Sequence, residues 1–418
     1  MIVCIIYEQI RSEPEPEKDE GHQESSLAAG EESVEKSVAE TDPWSITQPE
    51  DPDFSPTVSP LKAVDEFDQA NKVITESPSS ENRSVVTSPT SPKPVPPSPK
   101  PVSTRSPSNA APATDINANG EGGTSDMITL FDGILSRLRQ DRSCLVEFGS
   151  EDFLDRILSI IENNIYDLKI CTLGLEIMRA MCRFNDDVRN ENAANVALLG
   201  KLGACHVVIN CIKVHGADDA DLAAVGMSTV RNLASSNAGN IKLFGDLGAC
   251  LLAQQMLAAH GFANPASGKA SLGGIANLCF LNPSNRTALG KAGACPTIIE
   301  VIKSHGFMDV NFAKLGLAAI INLAGTSTNK TLFSECNACE TVLNLISHFS
   351  RTDSPSSDVP LHGSWAMLSL IDNSPDNIAA FKRLKAPEIL LECVINNPNI
   401  TNKGAKQKAR EVVDKLES

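Results

Sequence analysis

Residues 285–306 read Asn285-Arg-Thr-Ala-Leu-Gly-Lys-Ala-Gly-Ala-Cys-Pro-Thr-Ile-Ile-Glu-Val-Ile-Lys-Ser-His-Gly306. The same pattern starts at Asn195 and Asn240, and more loosely at Asn329. Its centre is Gly203-Ala204-Cys205, then Gly248-Ala249-Cys250, Gly293-Ala294-Cys295 and Asn337-Ala338-Cys339, with the alanines 45, 45 and 44 residues apart. A period that regular marks a solenoid, in which each unit buries its apolar face against the next copy rather than within itself.

Apolar residues inside one period recur at helical spacing, so the expected fold is all-α. In the copy from Asn240, a short helix runs to Asp246 and Gly248 breaks it. A second helix runs from Ala249 to about His260-Gly261, where glycine suits a helix end. A third spans about 268–279, with Leu222–Leu233 and Phe312–Leu323 in the same role in the neighbouring copies. Upstream, residues 127–140 read as a capping helix or half-repeat, and Phe153, Ile157, Leu158 and Ile161, then Ile170, Leu173, Ile177 and Met181, mark two helices of an atypical first repeat. The polar residues 183–193 read as an extended loop. Downstream, Asn377 and Ala386-Pro387 mark a divergent last copy, residues 351–360 a Ser/Pro/Asp insertion, and residues 403–416 a charged terminal helix. About five repeats are expected, divided as 1–124 (tail), 125–194 (cap and atypical repeat), 195–348 (regular repeats) and 349–418 (divergent repeat and cap).

The composition agrees with such an array. Hydrophobic residues make up 41% and aromatics 4% of 418 residues, as packing through Leu, Ile, Val and Ala would produce. The net charge is −16, and residues 1–120 hold 21 Asp and Glu against nine Lys and Arg, so most of the excess sits in the tail. An acidic chain lacks the basic footprint of a nucleic-acid binder. The tail is acidic over 8–53 and Ser/Pro-rich over 54–110, a composition that cannot offset its ordering entropy by burial, and it is expected to be disordered. Seven of its serines precede proline, among them Ser59, Ser88, Ser91, Ser98 and Ser106, candidate sites for a proline-directed kinase; only Ser59, with Lys62, has the basic residue three positions on. Ser-Pro pairs are also simply common in such composition.

The opening apolar run, Met1–Tyr7, is too short to span a bilayer and lacks the charged start of a signal peptide, so a cytoplasmic protein, with the nucleus as a second location, is expected without membrane insertion. Of twelve cysteines, only Cys336 and Cys339 form a C-x-x-C pair, and nothing completes a zinc site around it. The columns His215, His260, His305, His348 and Cys205, Cys250, Cys295, Cys339 fail as metal sites, because adjacent helices lie roughly 8–10 Å apart whereas zinc ligands sit about 2 Å from one ion. Helix-end cations and buried packing explain them better. Neither a phosphate loop, a nucleophile elbow, a paired-carboxylate cleft nor a kinase signature occurs, so no enzyme, cofactor or metal is expected.

A leading Asn, seven residues, Gly-Ala, an apolar helix and then a helix ending Asn232-Leu233-Ala234, Asn277-Leu278 or Asn322-Leu323-Ala324 resembles the armadillo repeat over about 290 residues. The resemblance implies a right-handed superhelix, a monomeric solenoid whose third helices line a concave groove. There Asn232, Asn277 and Asn322 would contact the backbone of an extended peptide, since an amide both donates and accepts. The bland alternative is that each asparagine caps its own helix or loop. Nuclear-import receptors of this family place a tryptophan four residues earlier; the positions here are Ser228, Gly273 and Ala318, and only Trp365 matches, with Ser369 in the asparagine's place. Those receptors also begin with a basic segment, so binding of basic import signals is not expected. Arg231, Lys269 and Lys314 would instead make the inner surface mildly positive, suited to an acidic peptide such as the chain's own tail, or would be ordinary solvated surface. The functional expectation is a non-catalytic protein-binding scaffold regulated by its tail. The alternatives are a regulator stimulating exchange on small GTPases and an adaptor in adhesion, vacuolar or cytoskeletal assemblies.

Overall fold

The computed structural model describes residues 123–141, 143–183, 189–352 and 357–418, and every regular element among them is helical. The tail through residue 122, with Ser59, Ser88, Ser91, Ser98 and Ser106, lies outside the described residues, as does part of the 351–360 insertion. A lone helix, α1 (Thr124–Gln140), is followed by six three-helix repeats. They are α2 (Cys144–Glu147), α3 (Glu151–Asn163), α4 (Leu168–Met181); α5 (Arg189–Lys201), α6 (Ala204–His215), α7 (Ala220–Ala234); α8 (Ala238–Asp246), α9 (Ala249–His260), α10 (Pro265–Leu278); α11 (Pro283–Lys291), α12 (Ala294–Val301), α13 (Val310–Leu323); α14 (Ser327–Glu335), α15 (Ala338–Ser350), α16 (Asp358–Ile371); and α17 (Pro375–Arg383), α18 (Ala386–Leu390), α19 (Lys403–Glu417). Single π-turns, Ile302–Gly306 and Leu391–Ile395, extend α12 and α18.

The third helices stack in chain order, α1 on α4, then α7, α10, α13, α16 and α19. The result is an all-α right-handed solenoid with one continuous core running its length. The repeat number is six rather than five. Helix α2 has only four residues, too few to show a period, and α19 is no added cap but the third helix of the sixth repeat, packed on α16. The expected loop over 183–193 is also corrected, since α5 begins at Arg189. Its polar residues hide the helix from an apolar count: Asn192 and Asn195 are buried and donate to the carbonyls of Arg183 and Met181.

Local rules place the helix ends. Asp167, Asp219, Asn264 and Asp309 each accept backbone N–H bonds at the start of a third helix. The turn between first and second helices needs a left-handed residue. Gly203, Gly248 and Gly293 have φ of 93°, 84° and 84°, and Asn337 and Lys385 take that region at 62° and 55°.

The repeats are held together by the leading asparagines. Asn240 donates its amide to Leu233 O (2.9 Å) and Val196 O (3.4 Å), and Asn285 to Leu278 O (2.9 Å) and Ile241 O (3.1 Å). Asn329 and Asn377 repeat the pattern with Leu323 and Arg286, and with Leu370 and Lys330. Each therefore ties the end of the preceding third helix to the first helix of the repeat before. The amide oxygen sits over a glycine: a Cβ on Gly200, Gly245 or Gly290 would lie 2.2, 2.1 or 1.9 Å from it. Buried carbonyls demand partners, which is why a polar side chain stands at the centre of an apolar seam.

Candidate peptide-binding face

The residues singled out in the sequence lie on the stacked third helices. Asn232, Asn277 and Asn322 do not cap their own helices. Each donates through Nδ2 to a carbonyl of the third helix before it: Asn232 to Arg179 O (3.1 Å), Asn277 to Arg231 O (2.7 Å) and Asn322 to Ala276 O (2.7 Å). No described group donates to their Oδ1 atoms, so each amide is pinned by one N–H and keeps an acceptor. Asn277 is half-buried, and Asn232 and Asn322 retain 7% and 8% of their surface.

The charged residues are organised differently from the sequence reading. Lys269 pairs with Asp309 at 3.2 Å and Lys314 with Asp358 at 2.7 Å, each carboxylate coming from the start of the next third helix. Burial pushes Asp309 up, but the Phe312 N–H and Lys269 outweigh it and hold the carboxyl below its usual range. The two ammonium groups are thus matched within the fold. Arg231 lies across Gly273, where a Cβ would meet its Cδ at 2.6 Å, so the place of the import receptors' tryptophan is occupied by an arginine stem. Trp365 lies under the Lys408 ammonium, 4.1 Å from the ring centroid, with Lys408 also bound to Glu411 at 2.8 Å. Its indole Nε1 is buried without a hydrogen-bond partner.

Two features escape the sequence reading. At the N-terminal end, a cavity of about 240 Å³ opens among Leu138, Arg139, Glu176, Arg179 and Arg183, with Arg139 and Glu176 paired at 3.1 Å. Farther along, Arg286 is 8% exposed and donates through Nε to Cys279 O at 3.0 Å. The sequence does carry a signal for it: the residue after the leading asparagine is apolar in Val196, Ile241 and Ile378 but charged in Arg286 and Lys330.

The two columns weighed as metal sites do other work. His215, His260 and His305 bond through Nε2 to Ile165 O, Gly216 O and Phe262 O, stitching successive loops at 2.7–2.9 Å. Cys205, Cys250, Cys295 and Cys339 are buried, and desolvation pushes each thiol up to about 12. Among the described residues no three His, Cys, Asp or Glu side chains gather as a metal site, and no single helix is long and apolar enough to cross a membrane.

No protein-family model matches the chain, and no curated protein matches it. Solved structures do match. The designed armadillo repeat protein YIII(Dq)4CqI superposes with a TM-score of 0.51 at 18% identity, over 63% of this chain and 99% of that one. The fold is armadillo-like. A second designed armadillo repeat protein, YIII(Dq.V1)4CPAF in complex with peptide (KR)4, gives 0.51 at 16% identity over 63% and 99%, and an engineered protein gives 0.52 at 17% over 63% and 98%. At such identities the armadillo-like likeness concerns the fold alone, a helical repeat scaffold.

Proposed function

We propose that this armadillo-like chain is a non-catalytic scaffold whose third-helix face binds an extended peptide of a partner protein, with the acidic tail regulating access. The observation that carries the reading is the row Asn232, Asn277, Asn322. Three amides spaced 45 residues apart are each oriented by a bond to the neighbouring repeat, and each keeps an oxygen for the N–H of a bound strand. The designed armadillo repeat protein in complex with peptide (KR)4, which shares this fold, supports the reading.

The test is a peptide-display selection on the full chain and on its Asn232→Ala, Asn277→Ala, Asn322→Ala variant, with circular dichroism to confirm that the variant folds. Selected peptides should bind the parent and lose at least about tenfold in affinity on the folded variant, as expected for several lost backbone contacts. Equal affinity for both would remove the third-helix face from the function.

A further inference from the structure

Arg286 and Lys330 occupy the same place in successive repeats, each directly after a seam asparagine (Asn285, Asn329), and each is 8% exposed. Their surroundings differ in one respect. The Lys330 ammonium has a counter-ion, Asp372, whose Oδ2 lies 3.0 Å away and whose backbone carbonyl it also contacts. Asp372 stands three residues after Ser369, and the matching residue in the repeat before, three after Asn322, is Gly325. No carboxylate among the described residues pairs with Arg286; its one hydrogen bond there is from Nε to Cys279 O. The guanidinium instead faces Gly325 so closely that a Cβ there would lie 2.3 Å from Nη1. A cation withdrawn from water without an opposite charge is unfavourable, and burial alone already pushes the Arg286 pKa down. The repeats that lack a cation here carry Val196, Ile241 or Ile378, so the seam does not require one.

We propose that Arg286, beside the bare wall at Gly325, forms an oxyanion subsite at the ends of α10 and α13, taking a carboxylate or phosphate from the side chain of an extended peptide. The two Nη groups form a planar fork that matches such an anion. The site lies at the same ends of the third helices as the amides of Asn277 and Asn322, two and three residues from Cys279 and Gly325. A peptide held by those amides therefore passes beside it. The subsite rests on the third-helix face being the peptide-binding face, and it adds the ligand class: an acidic or phosphorylated strand.

The experiment measures fluorescence anisotropy of three matched peptides on the full chain. They are taken from one sequence recovered in the display selection and differ at a single position: glutamate, phosphoserine or glutamine. The parent should bind the glutamate and phosphoserine forms at least about tenfold more tightly than the glutamine form, the worth of one charge-assisted pair. Arg286→Ile, which copies Ile241, should fold and lose that preference. Gly325→Asp, which copies the Asp372 arrangement and places a carboxylate against the fork, should also lose it. Preference for phosphoserine alone assigns a phosphate site, and preference for both assigns a general oxyanion site. An equal preference in the parent and Arg286→Ile would overturn the subsite, and if the Asn triple variant still weakens all three peptides, the face itself stands. Failure of every peptide to bind the parent overturns both.

Discussion

Two columns of asparagine run along this solenoid with nearly the same period, and they do different jobs. The first-helix column (Asn240, Asn285, Asn329, Asn377) is buried, and each amide closes the carbonyl at a third-helix end while adding a second bond to a carbonyl inside the first helix of the repeat before. The third-helix column (Asn232, Asn277, Asn322) closes one carbonyl each, and no described group donates to its amide oxygens. The difference shows that a repeated polar residue in a solenoid carries no fixed meaning. Its value depends on what both ends of its amide meet in the folded array.

That contrast can be broken most directly at Asn285. Asn285→Ala would leave Leu278 O, at the end of α10, unsatisfied in the seam and remove the second bond to Ile241 O, and should cost about 2–3 kcal/mol, read as a fall in the urea midpoint. Next comes the glycine beneath the column. Gly290→Ala pushes a Cβ against an Asn329 amide that two carbonyls hold in place, so about 2 kcal/mol is expected from the same measurement. Gly248→Ala tests the turn rather than either column: there is open space around it but φ is 84°, and the cost should be about 1 kcal/mol, with Gly248→Asn costing less, as native Asn337 suggests. Smallest in stability is Asn277→Ala, about 0.5–1.5 kcal/mol for one half-exposed bond. Its effect on peptide affinity should exceed that of Gly248→Ala. If Asn277→Ala proved as destabilising as Asn285→Ala with no effect on binding, the third-helix column would be a second seam and not a recognition row.

The sequence reading reached the period, the three-helix unit and the glycine at the first turn because each depends on neighbours in the chain. It missed α2, which is barely one helical turn, and the start of α5, whose buried polar residues mimic a loop. It placed the singled-out residues on the third helices but not their partners. Lys269 and Lys314 read as a positive surface until Asp309 and Asp358, 40 and 44 residues on, are seen to neutralise them. Trp365 reads as a groove residue until Lys408 is seen over its ring.

What the amino-acid order determined by itself was local: where helices start and stop, which face of each is apolar, and that the unit recurs about every 45 residues. Those follow from backbone sterics, capping and the helical period, which act within a few residues. The tertiary structure decided which polar groups are satisfied. It set Asp372 against Lys330 and Gly325 against Arg286, two otherwise similar cations, and so left one with a counter-ion and the other without one among the described residues. The physical reason is that the energy of a buried charge or amide is set by atoms within a few ångströms, and in a solenoid those atoms belong to residues a full repeat away.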